Sequence, residues 1–135
     1  MNFVRYQVTG EVAAKMLRRA QAALAHTYPT AQQGYAATVL TASGELYDGV
    51  SYNSDTQTLT MHGEMTAMAH AAIHGQKDVV AITGPNCHIC KQLIWESALR
   101  SGYDIQIILK EEGVVRRVPI SSLMQYPWPD AQGRH

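Results

Sequence analysis

The chain has 135 residues, 46% hydrophobic and 16% charged, enough for one compact domain over residues 1–135 and too few for two of ordinary size. Its 11 basic and 11 acidic residues leave no net charge, which argues against a nucleic-acid binder that works by neutralising phosphates. Two cysteines exclude a disulfide framework. No apolar run reaches the roughly 18–20 residues of a membrane span, and Met1–Arg5 lacks the apolar core of a signal peptide. The expectation is a cytoplasmic protein with reduced thiols and no membrane partner. A neutral, lightly charged surface also favours self-association, so a homo-oligomer is expected.

In chain order, Glu11 to His26 is Ala-rich with apolar residues at helical spacing, and Tyr28-Pro29 stops it. Residues 35–40 and 45–50 flank Ala42-Ser43-Gly44, which reads as a hairpin. The longest polar stretch, Ser51 to Thr60, follows. Gly63 to His74 reads as a helix closed by Gly75, and residues 79–83 as a buried strand. A third helix runs from Cys87 to Ser101 with Gly102 after it. Residues 105–109 and 114–118 are strands around the Glu112-Gly113 turn, and a short helix is expected over Ile120 to Gln125. This order predicts an α/β fold, a mixed sheet sandwiched between helices.

Four residues carry the chemistry. Cys87 and Cys90 are three apart, about 300° around a helix, so both sulfurs share a face at its first turn. There the positive end of the helix dipole favours thiolates. His62 and Glu64 are two apart, about 200° around an ideal helix, and cannot converge on a target beside it. They can converge beyond its N-terminus, because side chains lean that way. A metal capping two helix starts satisfies the geometry. Zinc suits one imidazole and two thiolates, and three protein ligands leave the fourth position open for a water. Glu64 is then a carboxylate placed to shuttle a proton.

Blander readings stand beside this one. The Cys-x-x-Cys spacing also fits a redox pair. A closed, structural zinc site needs a fourth ligand, for which His88 and His70 are candidates. His70 and His74, four apart, suit half-exposed helix positions better than a metal. Met61, Met65 and Met68 read as core filler.

The stretch Leu59-Thr60-Met61-His62-Gly63-Glu64, followed by Cys87-His88-Ile89-Cys90-Lys91-Gln92-Leu93-Ile94, resembles the cytidine deaminase family of zinc-dependent nucleoside deaminases. That family includes the blasticidin S deaminases. The likeness extends to the turn Leu40-Thr41-Ala42-Ser43-Gly44 and to Tyr47-Asp48-Gly49, and covers most of the chain. It implies a three-layer α/β/α sandwich with a mixed five-stranded sheet. It also implies Zn²⁺ on His62, Cys87 and Cys90, with Glu64 as general acid/base. Glu64 would carry a proton from the activated water to the ring nitrogen and the departing ammonia. Backbone at Gly63 and around Asn86 would meet the base edge. The expected partner is a small nucleoside-like molecule, and the expected assembly a tetramer or dimer.

The departures fall on the substrate side. Where the family's nucleoside enzymes carry Asn-x-Glu for the ribose hydroxyls, the chain has Ser51-Tyr52-Asn53. Both polar residues can hydrogen-bond a sugar, without the charge-assisted acceptor that a carboxylate offers. Where a Phe lies against the pyrimidine, in Pro-Tyr-Ser-x-Phe, the chain has Pro29-Thr30-Ala31-Gln32-Gln33, leaving Tyr28, Tyr35 or Trp128 as substitutes. Asn86 replaces the proline before the first cysteine, and Lys91 replaces an arginine. The expected reaction is deamination of cytidine, deoxycytidine or a related cytosine nucleoside. The alternatives are a different aminoheterocycle or nucleoside antibiotic, and a non-catalytic zinc-stabilised module.

Overall fold

A computed structural model describes residues 2–132 and 134. Helix α1 (Gly10–Ala23) begins at Thr9, whose hydroxyl accepts the Val12 N–H at 3.2 Å, a side-chain cap. Its buried stripe is Ala13, Met16, Ala20 and Ala23, at helical spacing. The expected helix ran to His26. Instead Leu24–His26 tightens into a 3₁₀ turn, because the Thr27 N–H and hydroxyl both bond the Leu24 carbonyl.

Strands β1 (Ala36–Thr41), β2 (Leu46–Val50), β3 (Val79–Thr83), β4 (Gln106–Glu111) and β5 (Val114–Pro119) form one sheet in the order β2-β1-β3-β4-β5. Only β3 and β4 run parallel; the other neighbours are antiparallel. Helix α2 (Gly63–Ile73) enters between β2 and β3, and α3 (His88–Ser101) crosses from β3 to β4. The pairing of β1 with β3 skips one residue: Leu40 faces Ala81 and Thr41 faces Val79, so Val80 bulges. The bulge puts Val80 and Ala81 together in the α1-side core and leaves Val79 and Ile82 in the other.

Those two cores make the three layers. On one face α1 buries Ala13 and Met16 against Leu40, Val80 and Ile108. On the other, α2 and α3 bury Ala67, Ala71, Ile94, Trp95 and Ala98 against Val39, Ile82 and Ile107. Each fully buried Ile or Val contributes about 1.5–3 kcal/mol. The expected sandwich with a mixed five-stranded sheet is the fold observed.

Two local features position the functional end. Gly49 on β2 lies so close to α2 that a Cβ there would sit 2.1 Å from the Ala67 nitrogen and 2.4 Å from the Gly63 oxygen. Beside it, Asp48 accepts from Arg19 of α1 at 2.9 Å and from the Thr38 hydroxyl at 2.7 Å. Burial raises the Asp48 pKa, but the hydrogen bonds from Arg19 and Thr38 outweigh it and hold the carboxyl below the ordinary aspartate range.

The helix expected over Ile120 to Gln125 is a single 3₁₀ turn, Ile120–Ser122. Asp104 accepts both the Ser121 N–H and its hydroxyl, and Tyr126 takes a left-handed φ of 48° just before Pro127, so no longer helix can form. The following tail is pinned where the Trp95 indole donates to the Pro129 carbonyl at 2.8 Å. No helix among the described residues is long and apolar enough to cross a membrane.

Candidate active site

The N-termini of α2 and α3 point at one place. His62 is the N-cap of α2, in extended backbone, and makes no side-chain cap bond, so its ring is available for other work. Cys87 is the N-cap of α3, with its Sγ accepting the Cys90 N–H at 3.4 Å. Cys90, on the first turn, is fully buried. His62 Nδ1 lies 3.2 Å from Cys90 Sγ and 3.4 Å from Cys87 Sγ, and all three donor atoms fall within 4.8 Å of one another.

This donor set fits a zinc ion. Metal–sulfur and metal–nitrogen bonds of ordinary length in a tetrahedron separate such donors by about 3.6 Å, close to the 3.2 and 3.4 Å between the imidazole nitrogen and the two sulfurs. Burial pushes the Cys90 thiol pKa up, and the neighbouring Glu64 and Cys87 push it further. Only a cation makes the thiolate favourable in such a place. Neither suggested fourth ligand joins. His88 is exposed and lines a separate groove with Met65 and Ile89. His70 Nδ1 lies 2.9 Å from the Asp48 carbonyl oxygen, and its ring meets Tyr47 edge-on. Three donors among the described residues leave a tetrahedral metal one open position.

Glu64, on the first turn of α2, is 8% exposed and lines a cavity of about 850 Å³ together with His62 and Cys87. Asn86 lines the same cavity and donates Nδ2–H to Glu64 Oε2 at 3.0 Å and to the Thr83 carbonyl at 3.1 Å. Its Oδ1 is buried without a partner among the described residues, a cost of about 1–3 kcal/mol. The family resemblance implied only backbone contacts at Asn86; the side-chain bond needed the tertiary structure. Gly63 is not among the cavity-lining residues. It sits against β1, where a Cβ would lie 3.1 Å from the Ala36 Cα and the Tyr35 oxygen.

The opposite wall comes from Pro29, Gln33, Tyr35 and the polar stretch after β2. Ser51 and Asn53 both line it, with Ser51 deeply buried and Asn53 half-buried. Ser51 Oγ accepts the Tyr35 N–H at 3.0 Å, so that oxygen already braces the wall. Ser54, Asp55, Gln57 and Thr60 complete it. Their only advance signal was the polar composition of Ser51 to Thr60. Of the three aromatic substitutes, Tyr35 lines the cavity, whereas Tyr28 stacks on Tyr52 at 4.2 Å and Trp128 lies outside the lining. Of Met61, Met65 and Met68, read as core filler, Met68 packs on the core, whereas Met65 lines the α3 groove and Met61 is 46% exposed.

An α/β sandwich that brings one imidazole, two thiolates and a buried carboxylate to the starts of two helices has the framework of a zinc-dependent aminohydrolase. The chain belongs to the cytidine and deoxycytidylate deaminase family, whose zinc-binding region matches residues 11–103 and so includes all four residues. Among solved structures, cytidine deaminase from Burkholderia pseudomallei is similar at a TM-score of 0.71 and 20% identity, covering 89% of this chain and 99% of that one. The cytidine deaminase from Mycobacterium tuberculosis gives 0.69 and 16%, covering 85% and 95%. The Bacillus anthracis cytidine deaminase gives 0.66 and 16%, covering 89% and 91%. No curated protein matches the sequence significantly.

Proposed function

We propose that this chain, acting as one domain over residues 1–135, hydrolytically deaminates cytidine, deoxycytidine or a related cytosine nucleoside to the uridine product and ammonia. The observation that carries this reading is a buried carboxylate, Glu64, on the same cavity as His62 and Cys87. His62, Cys87 and Cys90 would hold the zinc. When bound there, zinc supplies the Lewis acidity that makes a water nucleophilic near neutral pH. Glu64 would take one proton from the attacking water and pass it to the ring nitrogen, then carry the second, from the newly added hydroxyl, to the amine that leaves as ammonia. Asn86 holds Oε2 during the transfer, and a carboxylate has lone pairs left for the proton. Asn53 is the side chain of the opposite wall available to a sugar hydroxyl, and Tyr35 supplies an aromatic surface.

A second reading keeps the chemistry and changes the substrate to another aminoheterocycle or a nucleoside antibiotic. What favours it is the wall itself: Ser51 Oγ is already engaged, Gln33 stands in an aromatic's place, and Asp55 adds an exposed carboxylate. The cytoplasm, pyrimidine salvage and a homotetramer or dimer complete the proposal. Exposed Tyr35, Leu59 and Ile89 support self-association.

The test is to incubate zinc-loaded protein with cytosine nucleosides and analogues, following ammonia and ultraviolet absorbance. Turnover by wild type but not by Glu64→Ala is expected. If the two proteins behave alike on every compound, deamination is the wrong reaction. A specificity constant clearly higher for a non-cytidine compound selects the second reading.

A further inference from the structure

The amide of Asn86 is bound at one end and abandoned at the other. Nδ2 donates to Glu64 Oε2 and to the Thr83 carbonyl, both of them acceptors. That fixes the orientation of the amide, since turning it over would set Oδ1 against two oxygens. The consequence is the partnerless, buried Oδ1. Packing leaves no alternative on that side. Oδ1 lies over Gly84, where even a Cβ would come within 3.1 Å of it and 2.7 Å of Ile107 Cγ2. A buried acceptor left without a partner calls for an explanation, and here the nitrogen end supplies one.

We propose that Asn86 is a positioning residue that holds the Glu64 carboxylate in one rotamer, aimed into the cavity. Glu64 sits on the first turn of α2, with Cys90 beside it and the cavity in front. Its side chain has three rotatable bonds, and the bond at Oε2 removes much of that freedom. Asn86 lies on the segment that leads into Cys87, and Thr83 ends β3, so the same amide ties Glu64 of one helix to the strand and turn that launch the other. A carboxylate held this way loses less entropy in reaching the proton-transfer geometry than a mobile one. The inference rests on the reading of Glu64 as the proton carrier.

The experiment has two arms on the zinc-loaded protein. In the first, Asn86→Asp and Asn86→Ala each lower kcat by about tenfold or more while KM stays within about threefold, because the lost contact acts on the reaction and not on binding. Asn86→Asp keeps the shape of the side chain, so a packing role predicts that it is tolerated and that Asn86→Ala is not. A rise in KM at unchanged kcat, or wild-type kinetics in either variant, overturns the proposal. The second arm needs no activity. Asn86→Asp alone lowers Tm by about 5 °C or more. Combining it with Glu64→Gln restores at least half of that loss, since the donor and acceptor have traded places.

Additive losses overturn the proposal. If Asn86→Asp alone does not fold, folding of the double variant supports the pairing and its failure counts against it. If wild type turns over no nucleoside, the proposed reaction falls, and the thermal cycle still decides whether Asn86 holds Glu64.

Discussion

The cavity has two walls built on different principles. One consists of the starts of α2 and α3, with His62, Glu64, Asn86 and Cys87 on backbone anchored by the sheet. The other is irregular chain, the Ala31–Gln33 and Gln57–Leu59 3₁₀ turns and the segment from Ser51 to Thr60. The first wall brings three donor atoms within 4.8 Å of one another. The second is braced by bonds such as Tyr35 N–H to Ser51 Oγ and Ser54 N–H to Thr60 Oγ1, and it carries departures from the related motifs at Gln33, Ser51 and Asn53, beside that of Asn86 on the first wall. Rigid helix starts suit chemistry that tolerates no displacement; loops suit a surface that changes with the substrate.

Substitutions can break this contrast, beginning with the largest effect. Glu64→Gln keeps the shape of the first wall and removes the carboxylate proposed to carry the proton, so turnover is expected to fall about 10³-fold with zinc content unchanged; metal analysis beside the kinetics checks it. Cys87→Ser removes a donor and weakens zinc binding by more than the roughly 10–100-fold typical of an outer-shell partner, as read by competition with a chelator. Gly49→Ala touches neither wall but forces β2 off α2, where its Cβ would meet the Ala67 nitrogen at 2.1 Å. It costs about 2–3 kcal/mol in urea unfolding and disturbs the first wall more than the second.

On the second wall, Asn53→Ala raises KM about fivefold and leaves kcat within about twofold, the signature of one lost ground-state hydrogen bond. The smallest change is Asp48→Asn, which removes the tie between α1 and β2. It lowers stability at pH 7 by about 0.5–1 kcal/mol. Because the folded pKa of Asp48 lies below its unfolded value, that contribution is complete above about pH 4. It disappears as the pH falls through the depressed folded value, so the two proteins converge in acid unfolding.

The difference between the walls is also a difference in what the sequence made legible. His62-x-Glu64 and Cys87-x-x-Cys90 are short-range patterns, and helix geometry alone turns each into a direction, so spacing gave the expectation of a shared target beyond two helix starts. The strands followed from apolar runs, and five of them appeared where expected. The bulge at Val80 did not, since it depends on which residue of β1 faces which residue of β3. Nor did the end of the chain: Ile120–Ser122 stops as one turn because Asp104, 17 residues earlier than Ser121, takes its N–H. Asn86 stands out in the sequence only as a departure from the motif, because its partner Glu64 is 22 positions away.

By itself, then, the sequence determined the order of elements and singled out the three candidate donors and the carboxylate beside them, all of which depend on spacing within a turn or two of helix. The tertiary structure alone decided that the donors close to within 4.8 Å, that His70 and His88 stay apart from them, and that Asn86 clamps Glu64. It also assembled the loop wall of the cavity from residues 29–36 and 51–60. Those facts depend on contacts between residues distant in the chain, which only the packing of two helices on one sheet brings together.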